Sequence, residues 1–259
     1  MSTPLISIIT VVRNAQGLIE ETLHSVAQQT FGDYEYLVLD GASTDGTAEI
    51  VRGHQPAPTY FHSEPDRGIY DAMNRALQIA RGEFVYFLNA GDRLYAKDTL
   101  ERIAPLLRDC DFYSGRVRIM SEQGADLERY YPEPMPSLAL LWHGCSIAHQ
   151  ASFVRRSLML QLNGFDTSLR SSADYELWLR IRKLHVRTEL SATTIAWYRN
   201  GGLSSNRATR IIRDREDAQI LLRHGILGAK SAALLKYFNW RPRWRRRLVR
   251  WFGPAEPKS

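Results

Sequence analysis

The chain has few cysteines and no long apolar run, and each absence removes a class of protein. Only two of its 259 residues are cysteine, Cys110 and Cys145, which is too few for a disulfide framework or a cysteine-based metal site. No uncharged apolar segment reaches the roughly 18 to 20 residues that a membrane-spanning helix requires. The apolar N-terminal segment lacks a basic leader and a small-residue cleavage site, so we interpret it as a first strand and not as a signal peptide.

The common phosphate-binding motifs are also missing. The sequence has no G-x-x-x-x-G-K-S/T motif, so it is not a P-loop protein, and no G-x-G-x-x-G follows the first strand, which argues against a dinucleotide-binding domain. No DNA- or RNA-binding motif occurs either, so we expect no nucleic-acid partner.

Positive charge is confined to the C-terminal part of the chain. The net charge is +6, and residues 236–250 alone contain seven Lys or Arg and no acidic residue. Tryptophan and phenylalanine alternate with these arginines through residue 252, a composition typical of a segment that lies on anionic lipid. We therefore predict that residues 236–252 contact an anionic membrane surface; the alternative is a tail that packs its tryptophans on the domain.

Strand and helix patterns alternate regularly in the first part of the chain, in units of about 30 residues. Predicted strands cover Leu5–Val12, Tyr34–Leu39, Tyr60–His62 and Phe84–Leu88, and helical spacings cover Ile19–Thr30, Ala48–Gly53 and Ile69–Ala80. This alternation predicts an α/β fold with a doubly wound, parallel sheet.

The alternation loosens after residue 92. We predict helices over Thr99–Leu107 and Ser172–Leu184, a strand over Asp111–Met120 with which Glu128–Tyr131 pairs, a strand and a helix between residues 146 and 164, a strand over Thr193–Arg199, and a helix over 206–235.

Three acidic loops follow three of the early strands. They contain Asp40, Asp66 and Asp92, and in a parallel sheet all three lie at the same edge. Carboxylates gathered there suit a hard cation, or the imide and hydroxyl donors of a nucleoside.

Several motifs occur in the order and spacing of a known family. The segments TVVRNA, VLDGASTDGT and EPDRGIYDAMNRALQIARGEFVYFLNAGD resemble family 2 glycosyltransferases with the GT-A fold, especially the bacterial enzymes of exopolysaccharide and lipopolysaccharide assembly. The resemblance covers about residues 4–205. It implies a GT-A domain over residues 1–205, with a mixed, mainly parallel sheet and flanking helices, followed by a helical, basic C-terminal extension over 206–259.

The resemblance also implies a site for a nucleotide-sugar donor, with UDP as the family-level expectation and GDP or dTDP left open. The residues implied are Thr10 and Val12 at the base pocket, Asp40 on the base or ribose, Ser43 and Asp45 shaping that loop, Asp66 and Arg67 continuing the nucleotide site, and Arg199 near the phosphates.

Asp92 is the metal ligand that the resemblance implies, for Mg²⁺ or Mn²⁺ on the donor diphosphate. Asn89 and Gly91 stand where the family usually has further aspartates, so Asp92 is the one carboxylate left in this motif. Mg²⁺ commonly uses one or two carboxylates together with phosphate and water. The alternative reading of Asp92 is a residue that favours a turn after a strand.

The second half of the chain contains the catalytic base that the resemblance implies. Asp174, in the segment ADYELW, would take the proton of the acceptor hydroxyl, with Glu176 in reserve. The alternative is an acidic residue favoured by the start of a helix that Ser172 caps. His149 and Gln150, on a predicted strand, would lie near the acceptor or the diphosphate.

Together these features predict an inverting glycosyltransferase of bacterial surface polysaccharide synthesis. It would use a lipid-linked or saccharide acceptor and lie in the cytoplasm, peripheral on the inner membrane. Two alternatives remain open: a non-catalytic binding or scaffold member of the fold, and a nucleotidyltransferase, which would release pyrophosphate.

Overall fold

The computed structural model describes residues 3–132, 147–201 and 207–226. The segment 236–252, with its predicted membrane contact, and the end of the predicted helix over 206–235 lie outside these ranges. Within them, none of the helices combines the length and the apolarity needed to cross a bilayer.

The first part of the chain alternates strand and helix as the pattern predicts. The strands are β1 (Ile6–Val12), β2 (Tyr34–Asp40), β3 (Tyr60–Ser63) and β4 (Phe84–Phe87), and the helices are α1 (Ile19–Ala27), α2 (Thr47–Gly53) and α3 (Ile69–Ile79). Every residue of β1 is buried, which explains its continuous apolar, β-branched sequence.

The second part of the chain adds shorter and more varied elements. These are β5 (Arg93–Leu94), α4 (Thr99–Leu107), β6 (Phe112–Met120), β7 (Asp126–Tyr131), β8 (Ser152–Arg155), α5 (Arg156–Gln161), α6 (Ala173–Lys183), β9 (Thr188–Arg199) and α7 (Arg207–Arg223). The predicted pairing of the segment before Tyr131 with β6 is confirmed, and it is antiparallel.

Two predicted elements in this part differ from the structure. His149–Ala151 is a single 3₁₀ turn and not strand, because the Ala151 N–H and the Ser152 hydroxyl both donate to the Ala148 carbonyl and tighten the backbone there. The last strand begins at Thr188 instead of Thr193, since its first residues pair with the start of β6.

The nine strands of the described ranges form one mixed sheet. Its order is β3-β2-β1-β4-β8-β6-β9-β5, with β7 paired to the outer part of β6. The pairs among β1 to β4 are parallel, whereas β8 is antiparallel to both β4 and β6. The carboxyl ends of β1 to β4 therefore meet at one edge, as the three acidic loops require.

Helices cover both faces of the sheet, and each face has its own apolar core. One core contains side chains of α1, α2 and α4, such as Leu23, Val51 and Ile103. The other contains side chains of α3, α5, α6 and α7, such as Met73 and Trp178. Because Ile220 and Leu221 of α7 and Ile226, three residues after it, lie in this second core, the start of the predicted C-terminal extension packs on the same domain.

Candidate active site

Side chains join the loops that follow β1 and β2. The Asn14 N–H donates to Ser43 Oγ at 2.7 Å, and the Thr44 N–H donates back to Asn14 Oδ1 at 2.9 Å. Two residues after Asn14, the Gln16 N–H donates to Asp45 Oδ2 at 3.0 Å. The two loops thus form one unit at the sheet edge, to which Ser43 and Asp45 both contribute hydrogen bonds.

The carboxylate of Asp40 is largely occupied by the protein itself. Asp40 is 2% exposed; it accepts hydrogen bonds from the Ser43 N–H and hydroxyl and, at 2.6 Å, from the Ser63 hydroxyl. A carboxylate offers about four lone-pair positions, so three internal donors leave little room for a ligand. Asp40 therefore holds the loops after β2 and β3 together. This role differs from the contact with base or ribose that we expected from the resemblance.

Gly41 allows the next carboxylate to approach the backbone closely. A Cβ atom at Gly41 would lie 2.4 Å from Asp66 Oδ2 and 3.3 Å from Arg13 Cδ, so any side chain there would collide. Asp66 also accepts the Gly68 N–H at 2.9 Å, which fixes its turn, while the Arg67 side chain is 91% exposed. The structure thus brings Asp66 to the β1 and β2 loops, with Arg13 beside it, a residue that the sequence reasoning had not assigned to the site.

Thr10 does not line a pocket, contrary to expectation. Its side chain is fully buried, donates to the Leu88 carbonyl at 2.7 Å and lies 2.9 Å from the Tyr36 hydroxyl. Because both faces of β1 are covered by helices, a mid-strand side chain reaches the core and not the edge. Val12 lies two residues nearer the edge of the sheet and is also buried, in the core that contains side chains of α1.

The turn from Asn89 to Asp92 is held by a threonine of α1. The Thr22 hydroxyl donates to the Asp92 carbonyl at 2.7 Å and accepts the Gly91 N–H at 3.0 Å. Gly91 has φ +92°, a conformation that a β-carbon disfavours. Glycine at this position therefore serves the turn geometry where the family usually has an acid.

Asp92 is a buried carboxylate with a perturbed acidity. It is 4% exposed and accepts the Arg199 N–H at 2.9 Å. Burial raises its pKa to about 6, against the opposing effects of that N–H, of His149 and of the Gln150 side chain. A carboxyl group that ionises so reluctantly gains most from a cation or another partner that stabilises its charged form.

Arg199 is fixed by protein groups on all sides. Its guanidinium donates to the Gly91 carbonyl at 3.2 Å, to the Glu122 carbonyl at 2.7 Å and to the Glu21 carboxylate at 2.7 Å. Its side chain is only 9% exposed. Arg199 therefore holds the Asp92 turn against β9, and its guanidinium is not free to bind phosphate in this arrangement.

His149 connects the Asn89 turn to the expected catalytic base. The Asn89 amide nitrogen lies 2.9 Å from His149 Nε2, and His149 Nδ1 lies 3.4 Å from Asp174 Oδ2. Because an amide nitrogen can only donate, Nε2 accepts and the ring proton lies on Nδ1, facing the carboxylate. The structure thus brings together residues from the turn after β4, from the 3₁₀ turn and from the first turn of α6.

The oxygen donors beside this ring suit a divalent metal ion. The amide nitrogen of Asn89 faces His149. The buried Oδ1 of Asn89 then has no hydrogen-bond partner among the described residues. Asp92 adds a carboxylate whose charged form is disfavoured by burial. No group of three or more His, Cys, Asp or Glu in the described ranges could hold a metal ion alone. The residues present therefore fit an oxygen-preferring ion that takes its remaining ligands from a diphosphate and water.

Two further expectations concern the start of α6. Glu176 is buried and bound to Arg180 at 2.7 Å and to His224 at 3.1 Å, so the structure places it away from the Asp174 cluster and not as a reserve base. Ser172 does not cap the helix, because its buried hydroxyl makes no hydrogen bond with the described residues.

Gln150 is buried, and its side chain lies within hydrogen-bonding reach of Asp92.

The mixed sheet between two helical layers, with its carboxylates at one edge, has the GT-A fold. Staphylococcus aureus TarS 1–349 in complex with UDP-GlcNAc matches it with a TM-score of 0.66 and 21% identity, over 89% of this chain and 70% of that chain. The mannosyltransferase PcManGT from Pyrobaculum calidifontis, in complex with GDP-Man and Mn²⁺, gives 0.65 and 22%, over 96% and 74%.

Sequence comparison then assigns the family. The model of Glycosyl transferase family 2 matches residues 7–160, and the chain belongs to that family. A PGL/p-HBAD biosynthesis glycosyltransferase of Mycobacterium bovis is 35% identical over 191 residues, 70% of each chain. TuaG of Bacillus subtilis, a glycosyltransferase assigned to teichuronic acid biosynthesis, is 34% identical over 136 residues, 51% of this chain and 54% of TuaG.

Proposed function

We propose that this glycosyltransferase transfers a sugar from a nucleoside-diphosphate donor to a hydroxyl group with inversion at the anomeric carbon. The observation that carries the proposal is the link from the Asn89 turn through His149 to Asp174. That link puts a partly exposed carboxylate beside the turn of Asp92, at the edge where a donor would lie.

The chemistry follows from these positions. Asp174 takes the proton of the acceptor hydroxyl while its oxygen forms a bond to the anomeric carbon. The bond from that carbon to the diphosphate oxygen breaks on the opposite face, which inverts the configuration and releases the nucleoside diphosphate. His149 keeps the Asp174 carboxylate in orientation.

Asp92 and the Asn89 oxygen would hold Mg²⁺ or Mn²⁺ at this site. Such an ion supplies positive charge for the negative charge that grows on the leaving diphosphate. Arg199 supports this site indirectly, because its N–H fixes the carboxylate that would bind the ion.

The donor nucleotide lies, in this proposal, against the joined loops of Asp40, Ser43 and Asp66, with Arg67 at the entrance. UDP is the first candidate, and GDP the second, since the structural neighbours named above contain one or the other.

The acceptor is, in this proposal, a lipid-linked or saccharide precursor of a bacterial surface glycan. The named biosynthetic roles of the mycobacterial relative and of TuaG support this class. The basic, aromatic segment 236–252 would hold the enzyme on the cytoplasmic face of the inner membrane.

A thermal-shift screen tests the donor assignment. UDP, GDP and dTDP are each added with and without Mn²⁺, because a ligand that binds only the folded state raises the apparent Tm. We expect a shift with at least one nucleotide that is larger with Mn²⁺. No shift with any of them would contradict the proposal, and pyrophosphate as the product would indicate a nucleotidyltransferase.

The base is tested separately with Asp174→Asn. This variant should keep the nucleotide-induced shift and lose at least about a hundredfold in turnover, as loss of a general base does. Asp109→Asn is the matched control, because Asp109 is exposed and precedes β6 at the end remote from Arg199. Wild-type turnover in Asp174→Asn would contradict the assignment.

A further inference from the structure

Glu216 of α7 binds a loop that belongs to the active-site half of the molecule. Its carboxylate accepts the Arg170 N–H at 2.6 Å, the Ser171 N–H at 2.9 Å and the Ser172 N–H at 3.0 Å. The residue is 7% exposed. Three consecutive backbone donors on one buried carboxylate are a strong arrangement, because each hydrogen bond to the charged group is shielded from water.

This loop leads directly into the helix of the expected base. Ser172 is followed by Ala173, where α6 begins, and Asp174 lies in the first turn. The loop has no cap of its own, since the buried Ser172 hydroxyl makes no hydrogen bond within the described ranges. Glu216 therefore fixes, from another helix, the backbone of the three residues that lead into α6, while the first N–H of the helix itself, that of Ala173, lies 3.3 Å from the Tyr70 hydroxyl.

Other contacts of α7 hold this helix against the domain. Ile220 and Leu221 are buried in the core that also contains Trp178 of α6. Beyond Glu216, Arg223 pairs with Asp166 at 2.6 Å. The helix thus contacts the segment before α6 through both Glu216 and Arg223, and Glu216 binds the residues next to the base.

We propose that Glu216 is a positioning residue for catalysis: by holding the N–H groups of Arg170 to Ser172, it sets where α6 begins and hence where the Asp174 carboxylate meets His149. The proposal rests on the proposed function of Asp174. It also assigns a role in the reaction to α7, which lies beyond the 7–160 range matched by the family model. The three hydrogen bonds of Glu216 go to residues 170–172 and not to the loops after β1 and β2.

The position of a base affects turnover more than donor binding. A misplacement of about 1 Å can lower the rate of a positioned reaction by up to about a hundredfold. Glu216→Gln keeps one carbonyl oxygen but turns an amide N–H₂ toward backbone donors, so at least one of the three hydrogen bonds is lost. Glu216→Asp keeps a carboxylate but, because the side chain is one methylene shorter, moves it away from the N–H groups of residues 170–172.

The test compares Glu216→Gln and Glu216→Asp with Arg223→Gln, the matched control that breaks the ion pair between α7 and Asp166. Steady-state kcat and donor KM, nucleoside diphosphate affinity, and amide hydrogen exchange of residues 170–172 are measured for each. For both Glu216 variants we expect faster exchange at 170–172 and a kcat lowered roughly tenfold or more. Donor KM and nucleotide affinity should stay within about twofold, and Arg223→Gln should keep the wild-type kcat.

Three results would overturn the inference. The first is a wild-type kcat in Glu216→Gln with faster exchange, which shows that the loop can loosen without effect on the base. The second is an equal loss of kcat in Arg223→Gln, which indicates general destabilisation of α7. The third is unchanged exchange at 170–172 in both Glu216 variants. Absence of turnover in the wild-type enzyme with every donor would instead refute the proposed function, and this inference with it.

Discussion

Asp92→Asn should make the metal-free protein more stable while it abolishes transfer. Burial raises the pKa of Asp92 to about 6 from its ordinary value of 3.8. The folded protein therefore holds this proton more tightly than the unfolded chain, and stability is lost as the pH rises from about 4 to about 6. One pKa unit corresponds to about 1.4 kcal/mol, so ionised Asp92 costs about 3 kcal/mol at pH 8 and roughly half of that at pH 5.

The asparagine variant removes this cost without removing the main contact. Its amide oxygen can still accept the Arg199 N–H, and the Gln150 amide can turn its oxygen toward the new N–H₂ group. We therefore expect the free energy of unfolding of Asp92→Asn to exceed that of the wild type by up to about 3 kcal/mol at pH 8, with a smaller difference at pH 5. Turnover should fall at least about a hundredfold.

Urea denaturation in EDTA at pH 5 and pH 8 measures the difference, with exposed Asp109→Asn as the control. Mn²⁺ with a nucleoside diphosphate should then raise the Tm of the wild type and of the control more than that of Asp92→Asn. A variant that is less stable than the wild type at pH 8, or a difference that does not grow with pH, would refute the reasoning about the buried charge.

Three further substitutions test other parts of the account. His149→Ala should lower kcat about tenfold and leave nucleotide affinity within about twofold, measured by steady-state kinetics and calorimetry, because the ring orients the base and does not bind the donor; an equal loss of affinity would contradict this. Gly41→Ala should weaken nucleoside diphosphate binding at least about tenfold in calorimetry, since its Cβ would lie 2.4 Å from a carboxylate oxygen; Gly32→Ala, with open space around it, is the control and should bind normally. Glu35→Gln should lower the free energy of unfolding by about 1 to 3 kcal/mol at pH 7, because burial would raise the Glu35 pKa but hydrogen bonds hold it below its ordinary value of 4.5. That contribution is present above pH 4.5 and is lost as the pH falls through the lower folded pKa, whereas exposed Glu49→Gln should have no comparable effect in urea titrations.

The elements from β1 to β4 could be predicted from the sequence because their patterns are local. Apolar runs closed by polar turns place Asp40, Asp66 and Asp92 at the carboxyl edge, and the structure confirms that edge. The direction of a side chain within β1 could not be predicted, because a strand covered on both faces shows no alternation. Thr10 therefore lies in the core although it looked like a pocket residue.

Contacts between segments that are distant in the chain could not be predicted from the sequence. Glu216 and Arg170 are 46 residues apart. No local sequence pattern predicts that a glutamate of a helix accepts hydrogen bonds from a distant loop. The same holds for Arg199, which was expected near phosphate and instead donates to Glu21, 178 residues away. Thr22 looked like one more residue of an amphipathic helix, yet it holds the Asp92 turn.

Release of nucleoside diphosphate is the measurement that tests the central claim most directly. The wild type and Asp174→Asn are incubated with UDP- and GDP-sugars, Mn²⁺ and a membrane extract that contains lipid-linked saccharides, and free UDP or GDP is quantified. The account predicts that the wild type releases one nucleoside diphosphate, more with the extract than without it, and that Asp174→Asn releases at least about a hundredfold less. Equal release by both proteins, or no release by the wild type from any donor, would contradict it.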